Sequence, residues 1–549
     1  MKNSGNLNVD LMQACKNGNL DKIGKLLEQG ANIDYRDSVG CTPLWVACWK
    51  NWTEVVQFLL NQGADVDHAK NNGATPLYIA CELGSVELVT LLVDAGADID
   101  KAMKDSSTPL YISSQHGHSE VVRFLLKNGA NIFSQRRGGS SPLYIASQKG
   151  HEAVVTDLLH YGADADGEMD DGSSPLYIAG QFGHLGIVQA LLKHGADPKK
   201  AMNDLSTPLY IAAQNGYAEI VSVLKAHGAD PDAQMNDGTT PLYIACQNGR
   251  LEVVQTLMAQ GCALDLADAA GVTPLWIAAQ NGHVEIARLL VQAGADVDRA
   301  RANGDTALVR ACDNGHGAVV AALVKGPEGG GRGADVNRRA GNGKTALHYA
   351  AWRGDRGAAK LLCDAGAEVD LQDAAGFTPL AKAANYGRLE VAALLLERGA
   401  TPGLAGWNEN TGLHLAAHQG YQDVVELFLG AGVTPTDFGR QNVFGATPLH
   451  LAAGAGHEGV CRQLLAAGAP PATPDADGAT PLHAAARGGH LEACEVLLPH
   501  CRDGAARERD KCGRSPAQVA RSQGHRRCAE ALARAEAAAA KGGGGGGGG

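Results

Sequence analysis

The apolar positions of this chain recur in a fixed rhythm. A block such as Pro-Leu-Tyr-Ile-Ala (Pro241–Ala245) precedes a few polar residues and a glycine. A run such as EVVQTLMAQG (252–261) then places apolar residues at i, i+3 and i+4. This spacing predicts two short helices, each burying one face. The Thr/Ser-Pro-Leu that opens the first helix starts at Thr42, Thr75, Thr108, Ser141, Ser174, Thr207, Thr240 and Thr273, always 33 residues apart. Thr306 follows after 33 more. Thr345, Thr378, Thr411, Thr447, Thr480 and Ser515 come next, at steps of 39, 33, 33, 36, 33 and 35. A glycine keeps the same phase from Gly84 to Gly315, and Gly-Ala-Asp or a variant does so from Gly63 to Gly294. Thr before Pro is a helix N-cap, and Pro at the first helical position loses no hydrogen bond. The glycine ends each helix in a left-handed conformation.

One such unit of helix, turn, helix and hairpin loop cannot bury its own apolar face, but a stack of them can. The pattern resembles the ankyrin repeat, with its T-P-L-H-x-A signature at a period of 33 residues. The resemblance covers roughly residues 7–535 and implies an all-α solenoid of about sixteen units with a curved superhelical stack. Residues 1–6 are expected to be an N-terminal tail, and 7–324 a first run of repeats with an N-terminal cap at 7–36. Residues 325–333 form an inserted Gly-rich loop. Residues 334–538 are further repeats with a C-terminal cap at 510–538, and 539–549 form a disordered Gly-rich tail. The caps replace repeat residues with polar ones: Val9-Asp10 stands for Thr-Pro, and Arg521, Arg526, Arg527 and Arg534 coat the last unit.

Departures from the period fall at KGPEGGGRG (325–333), TPTDFGRQNVFGA (434–446) and HCRDGAARERD (500–510). Loops accept such growth at little cost. The first is equally a candidate partner loop or a seam between two stacks, because composition shifts there from Lys, Asn, Ile and Tyr to Arg, Ala and Gly.

Residue types that repeat at one position form stripes. Where the family usually carries His after Pro-Leu, Trp45, Tyr78, Tyr111, Tyr144, Tyr177, Tyr210, Tyr243 and Trp276 stand instead; His returns at His348, His414, His450 and His483. The family His bridges neighbouring repeats, so the aromatics are expected to fill that gap. A second stripe is Gln115, Gln148, Gln181, Gln214, Gln247 and Gln280, flanked by Glu82 and Asp313. In the family this position lies near the end of the first helix on the concave face, a common contact surface. A third, in the hairpin loops, is Met103, Met169, Met202 and Met235, four of only seven methionines. Methionine adapts to recognition surfaces, and equally to packing between loops. The fourth is Asp105, Asp171, Asp204 and Asp237, two residues further on. These stripes make a candidate acidic, amide-rich partner face, which a basic or extended polar peptide would complement. A solvated face copied by repeat duplication gives the same pattern.

Little else points to chemistry. Cys48, Cys81, Cys246 and Cys312 share a position with Ser114, Ser147, Gly180, Ala213 and Ala279, which is a small-residue slot rather than a nucleophile. Cys494, Cys501, Cys512 and Cys528 lack paired zinc-ligand spacing, and the glycines at 329–331 lack the Lys-Ser/Thr of a phosphate loop. No catalytic residue, cofactor or metal ligand is therefore expected. The net charge of −12 splits into about −17 over 1–499 and about +5 over the last fifty residues, which argues against nucleic acid as the main ligand. No apolar run is long enough to span a membrane, the N-terminus lacks a signal-peptide core, and thirteen scattered cysteines suit a reducing cytoplasmic or nuclear setting. The resemblance implies a non-catalytic scaffold that binds a protein or peptide on its concave face and hairpin tips. The alternatives are a substrate-recruiting adaptor of a ubiquitin ligase or signalling complex, or the ankyrin part of a larger channel or enzyme. Oligomeric state is not legible.

Overall fold

The computed structural model describes residues 4–327, 332–431, 435–501 and 507–542. Sixteen helix pairs follow one another through these residues, with an additional single turn at Pro435–Phe438. The sole extended pairing among the described residues is an isolated bridge between Ala405 and Thr411.

One pair illustrates the logic. The Thr240 hydroxyl accepts the Tyr243 N–H at 3.1 Å and caps Pro241–Gln247, with Pro241 at the first helical position. Leu242, Ala245 and Cys246 are fully buried. The second helix, Leu251–Ala259, buries Val253, Val254 and Leu257. Each fully buried Leu or Val contributes roughly 1.5–3 kcal/mol, and most of that burial comes from neighbouring pairs. Within each unit first helices pack on first helices and second helices on second helices, giving two layers.

Three backbone devices set the stacking. Each hairpin closes on itself, as where the Met235 N–H donates to the Thr239 carbonyl at 3.0 Å. Each hairpin also donates to the one before it, as from the Asn236 N–H to the Asp204 carbonyl at 3.2 Å. At the hairpin entrance an acidic side chain accepts an N–H from the following repeat. Asp67 does so for Asp98 at 3.1 Å and Asp100 for Asn131 at 2.9 Å. The turn glycine is required sterically as well as conformationally. Gly84 sits at φ +74°, and a Cβ there would lie 2.5 Å from Nδ1 of His118 in the next repeat.

The chain divides into two compact units, 1–269 and 270–549. The division falls within the regular 33-residue run, and the 325–333 segment lies inside the second unit. Residues 328–331 of that segment are outside the described residues, as are 432–434, 502–506 and 543–549. The first helix spans Ser4–Lys16, so it begins within the stretch expected as a tail; the last spans Arg526–Gly542, running past residue 538.

Candidate interaction surface

The tyrosine and aspartate stripes belong to one hydrogen-bonded ladder. The Tyr78 hydroxyl meets Ser107 Oγ of the next repeat at 3.4 Å, Tyr111 meets Ser140 at 3.3 Å, Tyr144 meets Ser173 at 3.1 Å, and Tyr177 meets Ser206 at 3.3 Å. Tyr210 meets Thr239 at 3.4 Å. The receiving hydroxyls pass the bond on. Ser107 donates to Asp105 at 2.5 Å, Ser173 to Asp171 at 2.6 Å and Thr239 to Asp237 at 2.6 Å. All four stripe aspartates also accept a backbone N–H two residues on, Asp204 from Ser206 at 2.9 Å among them. One carboxylate oxygen thus closes the hairpin. Burial alone would raise the Asp105 carboxyl, but Ser107 and Arg136 hold it below its usual value. Burial pushes the Tyr78 hydroxyl up to about 12. Asp171, Asp204 and Asp237 remain exposed, and Asp105 is half-buried.

The glutamines occupy the penultimate position of the first helix or lie next to it. Gln115, Gln148, Gln181, Gln214 and Gln280 are half-buried, and Gln247 is exposed. Their backbone carbonyls are taken by the next repeat: His151 bonds Gln115 at 2.9 Å, Asn215 bonds Gln181 at 2.9 Å, and Asn248 bonds Gln214 at 3.1 Å. The side-chain amides of Gln115, Gln148, Gln181 and Gln214, all in the first unit, make no hydrogen bond among the described residues. Each therefore presents a donor and an acceptor along one layer. Gln280 holds the same position of its repeat in the second unit.

The methionines sit at the base of the hairpins, half-buried. Each hairpin packs backbone to backbone on the one before it. A Cβ on Gly139 would lie 2.9 Å from the Met169 Cα, and one on Gly172 would lie 3.2 Å from the Met202 Cα. In other repeats this position holds Asp37, Asp373 or Asp475, whose carboxylates accept the hairpin N–H groups. In the methionine repeats that task passes to Asp105, Asp171, Asp204 and Asp237, which frees the methionine position from it.

A family model described as ankyrin repeats matches in overlapping stretches from 11–103 and 100–169 through to 470–541. The chain belongs to the ankyrin-repeat family. No curated protein matches it. Ankyrin repeats are generally protein–protein interaction modules and typically non-catalytic. No described helix is long and apolar enough to cross a membrane.

Within this ankyrin frame the second unit stitches its repeats differently. His348, His414, His450 and His483 are buried, and each reaches a carbonyl of the next repeat: Phe377 at 3.0 Å, Ala446 at 3.2 Å, Ala479 at 3.0 Å and Arg514 at 3.1 Å. Their other ring nitrogen sits against the capping Thr, as between His450 Nδ1 and Thr447 Oγ1 at 2.8 Å. Burial lowers His348 and His414 to about 4, so both are neutral at pH 7. Ser107, Ser140, Ser173, Ser206 and Thr239 are the members that sequence reasoning missed. Their signal was a pairing along the chain: a hydroxyl precedes the cap after five of the six tyrosines, whereas Ala74 follows Trp45, and Tyr243, followed by Val272, bonds the Asp268 carboxylate at 3.4 Å instead.

The cysteine column is a packing slot. Cys48, Cys81, Cys246 and Cys312 are buried, and burial raises every one of these thiols. A buried, protonated thiol is a poor nucleophile. Of the late cysteines, Cys494 and Cys528 lie together in the core with sulfurs 3.3 Å apart, Cys501 is half-buried and Cys512 is exposed. Among the described residues no three His, Cys, Asp or Glu side chains converge as a metal site would need.

Proposed function

We propose that this ankyrin protein is a non-catalytic scaffold that binds a protein or peptide partner through the first-helix face and hairpin tips of its first unit. The observation that carries this reading is the column of glutamine amides left without hydrogen bonds at Gln115, Gln148, Gln181 and Gln214. Side-chain amides on a rigid lattice match the N–H and C=O groups of an extended peptide. Met103, Met169, Met202 and Met235 add adaptable apolar contact beside them. Asp171, Asp204 and Asp237 keep one oxygen each outside the hairpin bond, which favours a partner with basic or polar side chains. The reading places the protein inside the cell, away from the bilayer, and needs no cofactor.

The test changes Gln181, Gln214 and Gln247 together to Arg and compares the proteins that the two forms retain. All three positions are partly exposed, so the fold should survive, which a thermal melt verifies. Partners held by the parent chain should be lost from the variant. An unchanged partner set would show that the glutamine column is only a solvated face.

A further inference from the structure

On the first-helix layer of the second unit the repeat pattern gives way to a basic, aromatic hollow. Asp313, Lys344, Tyr349, Trp352, Lys382 and Tyr386 line a cavity of about 230 Å³, with His348 at its base. This is below the roughly 300–1,000 Å³ of small-molecule sites, and suits one inserted side chain. Tyr349 and Lys382 stand where first-unit repeats carry buried isoleucines such as Ile145 and Ile178, and Trp352 occupies the glutamine column. Trp352 and Tyr386 meet edge to face at 6.1 Å and are 38% and 42% exposed. The Asn342 amide fixes the Tyr349 hydroxyl at 3.0 Å.

The charges around this floor are unequally committed. Arg310 is shared between Asp313, at 2.8 Å, and the buried Asp305, and Lys382 is answered by the buried Asp373 at 2.8 Å. Lys344 lies 5.3 Å from the Tyr349 ring centre and forms no ion pair among the described residues. Among the described residues the Arg353 side chain bonds only the Asp313 carbonyl, at 2.8 Å, and that of Arg388 only the Trp352 carbonyl, at 3.1 Å. Three cations without an ion pair among the described residues therefore stand in or beside this lining, Lys344 within it and Arg353 and Arg388 on the carbonyls of Asp313 and Trp352, in a chain whose net charge is −12.

We propose that this hollow captures an acidic peptide segment of a partner protein. One flat or branched apolar side chain seats on Tyr349, Trp352 and Tyr386, and flanking carboxylates meet Lys344, Arg353 and Arg388. Arginine forks and buried aromatics are the groups that dominate such contacts. Nucleic acid fits less well, because phosphate binding needs an extended basic stripe and Asp313 and Asp373 interrupt this one. The site is separate from the glutamine column of the first unit and prefers the opposite charge.

An array of random twelve-residue peptides, probed with the labelled full-length chain, tests the proposal. Retained peptides should include a class rich in Asp and Glu around one aromatic or branched residue. Lys344→Glu and Trp352→Ala should each weaken that class by about tenfold or more, while Trp352→Phe keeps most of it. The triple glutamine-to-arginine variant should leave it intact, which separates this site from the first-unit surface. Both substituted side chains are partly exposed, and a melting curve confirms the folded state. No acidic enrichment, enrichment that survives both substitutions, or displacement of the class by equimolar poly(dT) would overturn the proposal.

Discussion

A tyrosine at the third position of a helix stitches two repeats where the next repeat offers a polar side chain to receive it, a hydroxyl in five repeats and the Asp268 carboxylate for Tyr243. Tyr144, Ser173 and Asp171 meet this condition in sequence, at 3.1 Å and then 2.6 Å. Tyr144→Phe and Ser173→Ala should each destabilise the fold by about 1 kcal/mol. The double variant should lose clearly less than their sum, because both remove one bond. Denaturant titration of the four forms checks this, and additive losses would contradict a shared bond. Cys246 and Cys512 make a second residue-scale contrast. Mass spectrometry after iodoacetamide treatment should find Cys512 alkylated first and Cys246 protected until the chain unfolds. Early labelling of Cys246 would contradict the packing slot. These roles differ in how well a sequence shows them. Interchange of Cys246 with Ala and Gly along its column already excluded a nucleophile, because a lattice position tolerates what a mechanism cannot. The Ser173 role was hidden, since a serine before a helix cap looks like ordinary turn chemistry until its Tyr partner is placed 29 residues earlier.

At the scale of elements, the two ways of joining first helices respond differently to acid. His348 and His414 are neutral when buried and titrate near 4 in the fold, against an ordinary value of 6.5. Between pH 6.5 and 4 the unfolded chain therefore binds protons that the folded chain does not. The stability these residues contribute is complete above pH 6.5 and is lost as the pH falls toward 4. The loss is at most about 3 kcal/mol for each. Tyr144 at the matching position, raised above its usual value by burial, carries no charge change in that window. Hydrogen exchange at pH 7 and pH 5 should show helices such as Ala346–Arg353 and Gly412–Gln419 losing protection more than Pro109–His116 and Pro142–Lys149. Equal loss in both groups would contradict the buried-histidine account. Helix starts were legible because Thr-Pro and a phase-locked glycine are local signals. Helix ends were less so: the last helix continues to Gly542 because alanine-rich sequence favours helix past the last repeat residue.

At the scale of the whole molecule, a period of 33 residues dictates the architecture, since each pair is stable only against its neighbours. The same regularity made the glutamine column visible at once. It concealed the hollow at Tyr349 and Trp352, because no one residue type repeats there: Tyr349 and Lys382 share one column, Asp313 and Trp352 another, and each pair differs in chemistry. Those residues meet only when the helices are stacked. The division at 269/270 was also not legible, because no break in composition or spacing marks it. The central claim is that partners engage the first-helix layer of the first unit. The most direct measurement is site-specific photocrosslinking in cells, with the crosslinker at Gln214 on that layer or at Thr156 on an exposed second-helix face. The account predicts a discrete protein adduct from Gln214 and none from Thr156. Adducts from Thr156 alone, or equally from both positions, would contradict it.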